Sequence, residues 1–124
     1  MGLLLDTHVV LWWLADAKTL DSAVKDRLEV DSEIFLSSAT VWEVGIKQAL
    51  GKLTSDDKLA ERVRDCGFSL LPITADHAIA AARLPLHHRD PFDRMLVGQA
   101  LVEGLRLMTR DRAFAVYQVP IEYV

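Results

Sequence analysis

The chain has 124 residues, 51% of them hydrophobic and 26% charged, with a formal net charge of −4. That length suits one ordinary domain able to bury about two-thirds of its unfolded surface, and the composition excludes a disordered tail. The longest unbroken apolar run, Val9–Ala15, falls far short of the roughly 18 residues of a membrane span, and no basic leader with a cleavage site is visible.

In chain order, Gly2–Leu5 is an apolar run ending in Asp6 and reads as a first strand. Thr7–Ala15 carries no turn residue and predicts a helix, and Ser22–Val30 a second, more polar one. Glu33–Leu36 is a short strand candidate, followed by a helix over Ser37–Leu50 that stops at Gly51. Leu59, Val63 and Cys66 share one helical face and make Asp56–Cys66 an amphipathic helix closed by Gly67. Phe68–Ile73 predicts a third strand, which Pro72 assigns to a strand end or a sheet edge. Thr74 caps an alanine-rich helix, Ala75–Arg83, which Leu84-Pro85 ends. Asp90-Pro91 opens another helix, with Gly104 as its stop and a buried strand from Leu105 onward. Arg112–Tyr117 is one helical turn or two, and Val119–Tyr123 a last short strand weakened by Pro120.

Strands alternating with helices predict βα units: an α/β fold with a parallel sheet covered on both faces, in one domain over residues 1–124. Such sheets bind ligands outside the carboxyl ends of their strands, where the strand order switches. Acids placed just after strands therefore matter. Asp6 either caps the following helix or faces that edge. Thr40-Val-Trp-Glu43 fits a capping box, which by itself would explain both residues. Asp90 and Asp93 fit the cap and first turn of their helix, and Asp111 fits a cap after the fourth strand. Taken together, four or five carboxylates at one edge would repel one another unless cations compensate them, and an all-oxygen set selects Mg²⁺ or Mn²⁺ over zinc.

Other chemistries score poorly. His8, His77, His87 and His88 have no partner at zinc-ligand spacing, and His8 and His77 read as helix-face or core residues. The single Cys66 is a partly buried thiol that suits a reducing cytoplasm. No glycine-rich phosphate loop or nucleophile elbow occurs. Six of the nine arginines lie between Arg83 and Arg112, either as solvated surface charge or as a basic rim for a polyanion. Adjacent Trp12 and Trp13 point to different sides of their helix and are not expected to face one core; either they pack on two core walls, or one lines a partner groove.

The segments LLLDTHVVLWWL, SSATVWEVGIK, HHRDPFDRMLVGQA and LMTRD resemble, in order and over essentially the whole chain, the PIN-domain ribonucleases, specifically the VapC-type toxins of bacterial toxin–antitoxin pairs. The resemblance implies a three-layer α/β/α sandwich and a Mg²⁺- or Mn²⁺-dependent site. Matched motif by motif, the implied catalytic and metal-binding acids are Asp6, Glu43, Asp93 and Asp111. Asp90 is an additional acid of this subgroup, placed to position its helix or to hold a water beyond the metal's ligands. Thr7 and Thr109 are candidates to assist through their hydroxyls. Arg94, Arg110, Arg112, His87 and His88 are candidates to hold RNA, the arginines through bidentate phosphate contacts.

The implied reaction is attack of a metal-activated water on an RNA phosphodiester, leaving 5′-phosphate and 3′-hydroxyl ends. The implied partners are a small cognate antitoxin and a second copy of the chain in a homodimer. Two rivals differ in class. A phosphoacceptor receiver domain needs paired acids after the first strand and a late lysine, whereas here Asp6 stands alone and the last lysine is Lys58. A non-catalytic partner-binding module is the other, and a metal titration separates it from an enzyme.

Overall fold

A computed structural model describes residues 1–53, 57–87 and 90–124. The element order is β1 (Leu3–Leu5), α1 (Thr7–Leu14), α2 (Ser22–Val30), β2 (Ile34–Ser37), α3 (Ser38–Ala49), α4 (Leu59–Arg64), β3 (Ser69–Leu71), α5 (Ala75–Arg83), α6 (Pro91–Glu103), β4 (Arg106–Thr109), a 3₁₀ turn (Arg112–Val116) and β5 (Ile121–Tyr123). The five strands form one parallel sheet in the order β3-β2-β1-β4-β5. From β1 the chain winds outward to β2 and β3, then returns to lay β4 against the other side of β1. The order therefore switches between β1 and β4, which pair as Leu3–Arg106, Leu4–Leu107 and Leu5–Met108.

Successive strand residues face opposite sides of a sheet, and β1 feeds both layers. Leu3 and Leu5 join Val9, Val10, Leu28, Val44 and Val63 on one side. Leu4 joins Leu96, Val97, Leu107, Phe114 and Tyr117 on the other. Both layers are closed, so the sheet is the middle of an α/β/α sandwich, as the alternation of elements predicts. The helices covering it keep the predicted caps. Thr74 accepts from the His77 N–H at 3.2 Å, and Asp90 from the Phe92 N–H at 2.9 Å with Pro91 at the first position. Gly104 ends α6 at φ 67°, a left-handed conformation that costs glycine nothing.

Two expectations change. The amphipathic helix expected over Asp56–Cys66 is shorter, and Asp56 lies outside the described residues. Trp12 and Trp13 are both half-buried against the same core layer. The expectation that they cannot share one core fails because α1 is sunk between sheet and helices, so indoles on divergent vectors still reach it. The two histidines read as helix-face or core residues are one of each: His8 is exposed on α1, and His77 is fully buried, its Nε2 2.8 Å from Glu103. None of the helices among the described residues is long and apolar enough to cross a membrane.

Candidate active site

Asp6 follows β1 directly and Asp111 lies two residues beyond β4, so the two central strands deliver an acid each to the switch point. Asp6 stands at the N-cap position of α1 but makes no capping bond. Its carboxylate, 4% exposed as a residue, instead accepts from the Thr109 hydroxyl at 2.7 Å. That hydroxyl accepts in turn from the Asp111 N–H at 3.0 Å. Thr109, fully buried at the end of β4, thus ties the start of the Asp111 loop to the Asp6 side chain.

Glu43 does not belong to a capping box. Ser37 is the N-cap of α3, accepting from the Ala39 N–H at 2.9 Å, so Thr40 is already helical and Glu43 lies well inside the helix. Its carboxylate is buried and accepts from the Thr7 hydroxyl at 2.7 Å, while Thr7 and Thr40 hydroxyls meet at 3.2 Å. Buried carboxylates held by hydroxyl donors, and not by a helix terminus, are oriented for something else.

Asp90 and Asp93 come from the start of α6. Asp90 is spent on capping, accepting from Phe92 and Asp93 N–H groups at 2.9 and 3.3 Å. Asp93 occupies the first turn, half-buried. Asp111 caps the 3₁₀ turn through the Ala113 N–H at 2.9 Å and still lines an open cleft with Asp6, His8, Trp12 and Arg110. On the other side, Glu43 and Asp90 line a groove with Lys47, Lys52 and Phe92. Among the described residues no three acids close into a ready-made cage; Asp6 and Asp111 share one recess, and Glu43 and Asp90 the next.

Two basic side chains absent from the list drawn from motifs contact the acids of this edge. Lys47 Nζ lies 2.6 Å from Glu43 Oε2. Its bond to Glu43, with the charges of Glu43, Asp90 and Asp93, holds the ammonium above its ordinary range. His8 Nδ1 lies 3.7 Å from Asp6 Oδ1, and the Asp6 contact, reinforced by the charges of Asp6 and Glu43, raises its imidazolium above the ordinary 6.5. The spacing of Lys47 four residues after Glu43 was a visible signal for the first. His8, two residues after Asp6 at the top of a helix, was visible only as a neighbour.

The donor set fits a hard divalent cation. It is all oxygen, and Asp90 and Asp93 act on Lys47 together with Glu43, so the acids of α3 and α6 share one field. A side-chain ammonium already meets that field at Glu43.

The basic rim is reduced. Arg94 is buried and its guanidinium donates to the carbonyls of Ala81, Leu84 and Pro85, each at 2.9 Å. The expectation that it holds substrate phosphate is therefore corrected: it ties the end of α5 to α6. Arg110 stacks over Trp12, 4.6 Å from the ring centroid, and donates to the Val124 and Thr19 carbonyls, yet still lines the Asp6–Asp111 cleft. Arg112 is exposed, 3.9 Å over Tyr123. His87 is exposed and packs edge-on against Tyr117, and His88 lies outside the described residues.

A family model for the PIN domain matches residues 3–119. The chain is 32% identical to Ribonuclease VapC22 of Mycobacterium tuberculosis (strain ATCC 25618 / H37Rv), an alignment covering 94% of this chain and 92% of that protein. Its fold is similar to that in the crystal structure of VapBC2 from Rickettsia felis bound to a promoter DNA fragment, with a TM-score of 0.74 at 15% identity over 99% and 98% of the two chains. It is also similar to VapBC-5 from Mycobacterium tuberculosis, a member of the VapBC family of toxin–antitoxin systems, with a TM-score of 0.63 at 22% identity over 100% and 98%.

Proposed function

This chain belongs to the PIN-domain family, and on that premise we propose that it is a Mg²⁺- or Mn²⁺-dependent endoribonuclease toxin, neutralised by a cognate antitoxin. The observation that carries the reading is the pair of Asp6 at the strand-order switch and Glu43 bonded to the adjoining Thr7: two buried carboxylates, each held by a threonine hydroxyl. Likeness to a protein named as a ribonuclease, over nearly the whole of both chains, supports the activity. Likeness to a member of a toxin–antitoxin family supports the antitoxin.

Asp6, Glu43, Asp93 and Asp111 are the residues that would hold the metal, and the bound ion supplies an activated water and neutralises charge on the phosphoryl oxygens. The chain's own groups do the positioning. Thr109 and Thr7 fix the Asp6 and Glu43 carboxylates so that neither has to reorganise when substrate arrives. Asp90 fixes the start of α6 and thereby the place of Asp93. Arg110, which lines the cleft, is a phosphate contact in this reading, with Arg112, His87 and His88 as further candidates, and Arg94 leaves that set. Substrate is RNA with single-stranded stretches, whose bases are free of a duplex. The chain acts as a single PIN domain over 1–124, as a homodimer, in the cytoplasm.

Cleavage of a structured RNA is the test, run with Mg²⁺ or Mn²⁺, with EDTA, and with Asp6→Ala. Cleavage is expected only with metal and intact Asp6, giving 5′-phosphate ends. Undiminished cleavage in EDTA would sink the metal role.

A further inference from the structure

On its outer side α3 carries an apolar stripe that no catalytic role absorbs. Trp42 is 62% exposed, and Ile46 and Leu50 follow at successive fourth positions, Leu50 64% exposed. An indole left this open on a helix whose other faces are packed gains nothing from the fold. Phe92 stands against it edge-on, with ring centroids 5.3 Å apart and planes at 73°. That T-shaped contact braces the indole and leaves at least one of its faces uncovered by Phe92.

The position of this pair sets its meaning. Trp42 immediately precedes Glu43 and Phe92 immediately precedes Asp93, so each aromatic is one residue from an acid of the candidate site. Phe92 lines the groove that runs out from Glu43 past Lys47 and Lys52. The groove also holds the Glu43 and Asp90 carboxylates, the first already paired with Lys47, so what it offers a polyanionic strand is an aromatic step beside the Lys52 ammonium, suited to bases that present flat π-faces. A net charge of −4 makes such local features necessary, because the chain as a whole does not attract RNA.

We propose that Trp42, braced by Phe92, is a stacking platform for an unpaired nucleobase next to the scissile phosphate, with Lys52 facing the adjoining backbone. The inference rests on the ribonuclease reading and adds a positioning residue to it. It accounts for single-stranded RNA as substrate, since a base inside a duplex has no face to offer. Base identity matters little to such a platform; what it selects is an unstacked nucleotide.

The test measures anisotropy of a short, unstructured, labelled RNA with the isolated chain in EDTA, so that binding is read without hydrolysis. Trp42→Ala is expected to weaken binding about 5- to 150-fold, the range for one lost stacking contact, and Trp42→Phe to restore most of it. With Mn²⁺, Trp42→Ala is expected to raise KM more than it lowers kcat. Melting temperature should fall only by the few degrees that the lost contact with Phe92 explains, and oligomeric mass should not move. If the unaltered chain binds and cleaves RNA while Trp42→Ala does both equally well, the platform is refuted and the ribonuclease reading stands. If the unaltered chain neither binds nor cleaves, both fall. If Trp42→Ala leaves RNA affinity intact but changes oligomeric mass or antitoxin capture, the stripe is a protein contact and the platform is refuted.

Discussion

Arg94→Met removes a buried guanidinium while keeping most of the apolar stem. In the native chain that group donates at 2.9 Å to three carbonyls, of Ala81, Leu84 and Pro85, at the end of α5. A hydrogen bond to a charged group contributes about 1.5–3 kcal/mol net, and such values do not add within one network. The Ala81 bond is buried, whereas the other two are only partly so and water can replace them. Ala81 O also keeps a longer contact from the Leu84 N–H, at 3.4 Å. The expected loss is therefore about 3 kcal/mol, one full charged bond and fractions of two others. For 124 residues, an unfolding entropy of about 2.1 cal/mol/K per residue turns this into a fall of about 11 °C in melting temperature. Arg94→Lys, which keeps the charge but loses the planar fork, should fall between the two. Calorimetry and urea titration read the stability, and RNA affinity of the folded variant reads the alternative. An unchanged melting temperature, with weaker RNA binding and a salt slope reduced by about one, would show that Arg94 faces phosphate after all.

Mn²⁺ should raise the melting temperature of the unaltered chain by mass action and do so far less for Asp93→Asn; differential scanning fluorimetry across metal concentrations checks it, and equal shifts would remove Asp93 from the metal's ligands. Gly98→Ala places a Cβ 2.8 Å from the backbone nitrogen of Ala81, forcing α5 and α6 apart at a cost of about 1–3 kcal/mol, measurable as a lower urea midpoint. Because contact with Asp6 raises His8 above 6.5, the stability it contributes in the metal-free chain is full below that value and is lost as pH rises through the higher folded one. The melting-temperature gap between the unaltered chain and His8→Gln should therefore be wider in mildly acid than in alkaline buffer, and a gap independent of pH would contradict the Asp6–His8 contact.

Much of this architecture was legible from local chemistry. The boundaries of Ala75–Arg83 follow from its Thr74 cap and the break at Leu84-Pro85, and the start and stop of α6 from Asp90-Pro91 and Gly104. These signals act within a few residues, so they survive without tertiary context. Alternation of apolar runs with helical patterns likewise indicated a parallel sheet closed on both faces, while the set of candidate acids came from the motif resemblance.

Tertiary structure decided what each of those residues touches. Glu43 looked like half of a capping box, but Ser37 wins the cap because β2 continues to it and the helix starts one residue on; the freed carboxylate then meets Thr7, 36 positions away. Thr109 reaches Asp6 across 103 positions only because β4 pairs directly with β1. Arg94 shares its local sequence with surface arginines, and nothing nearby in the chain says that the end of α5 will surround it. Contacts of this range depend on strand order, which winding from the centre outward settles only after the whole chain has folded, so residue type and spacing reveal the chemistry available while packing assigns it.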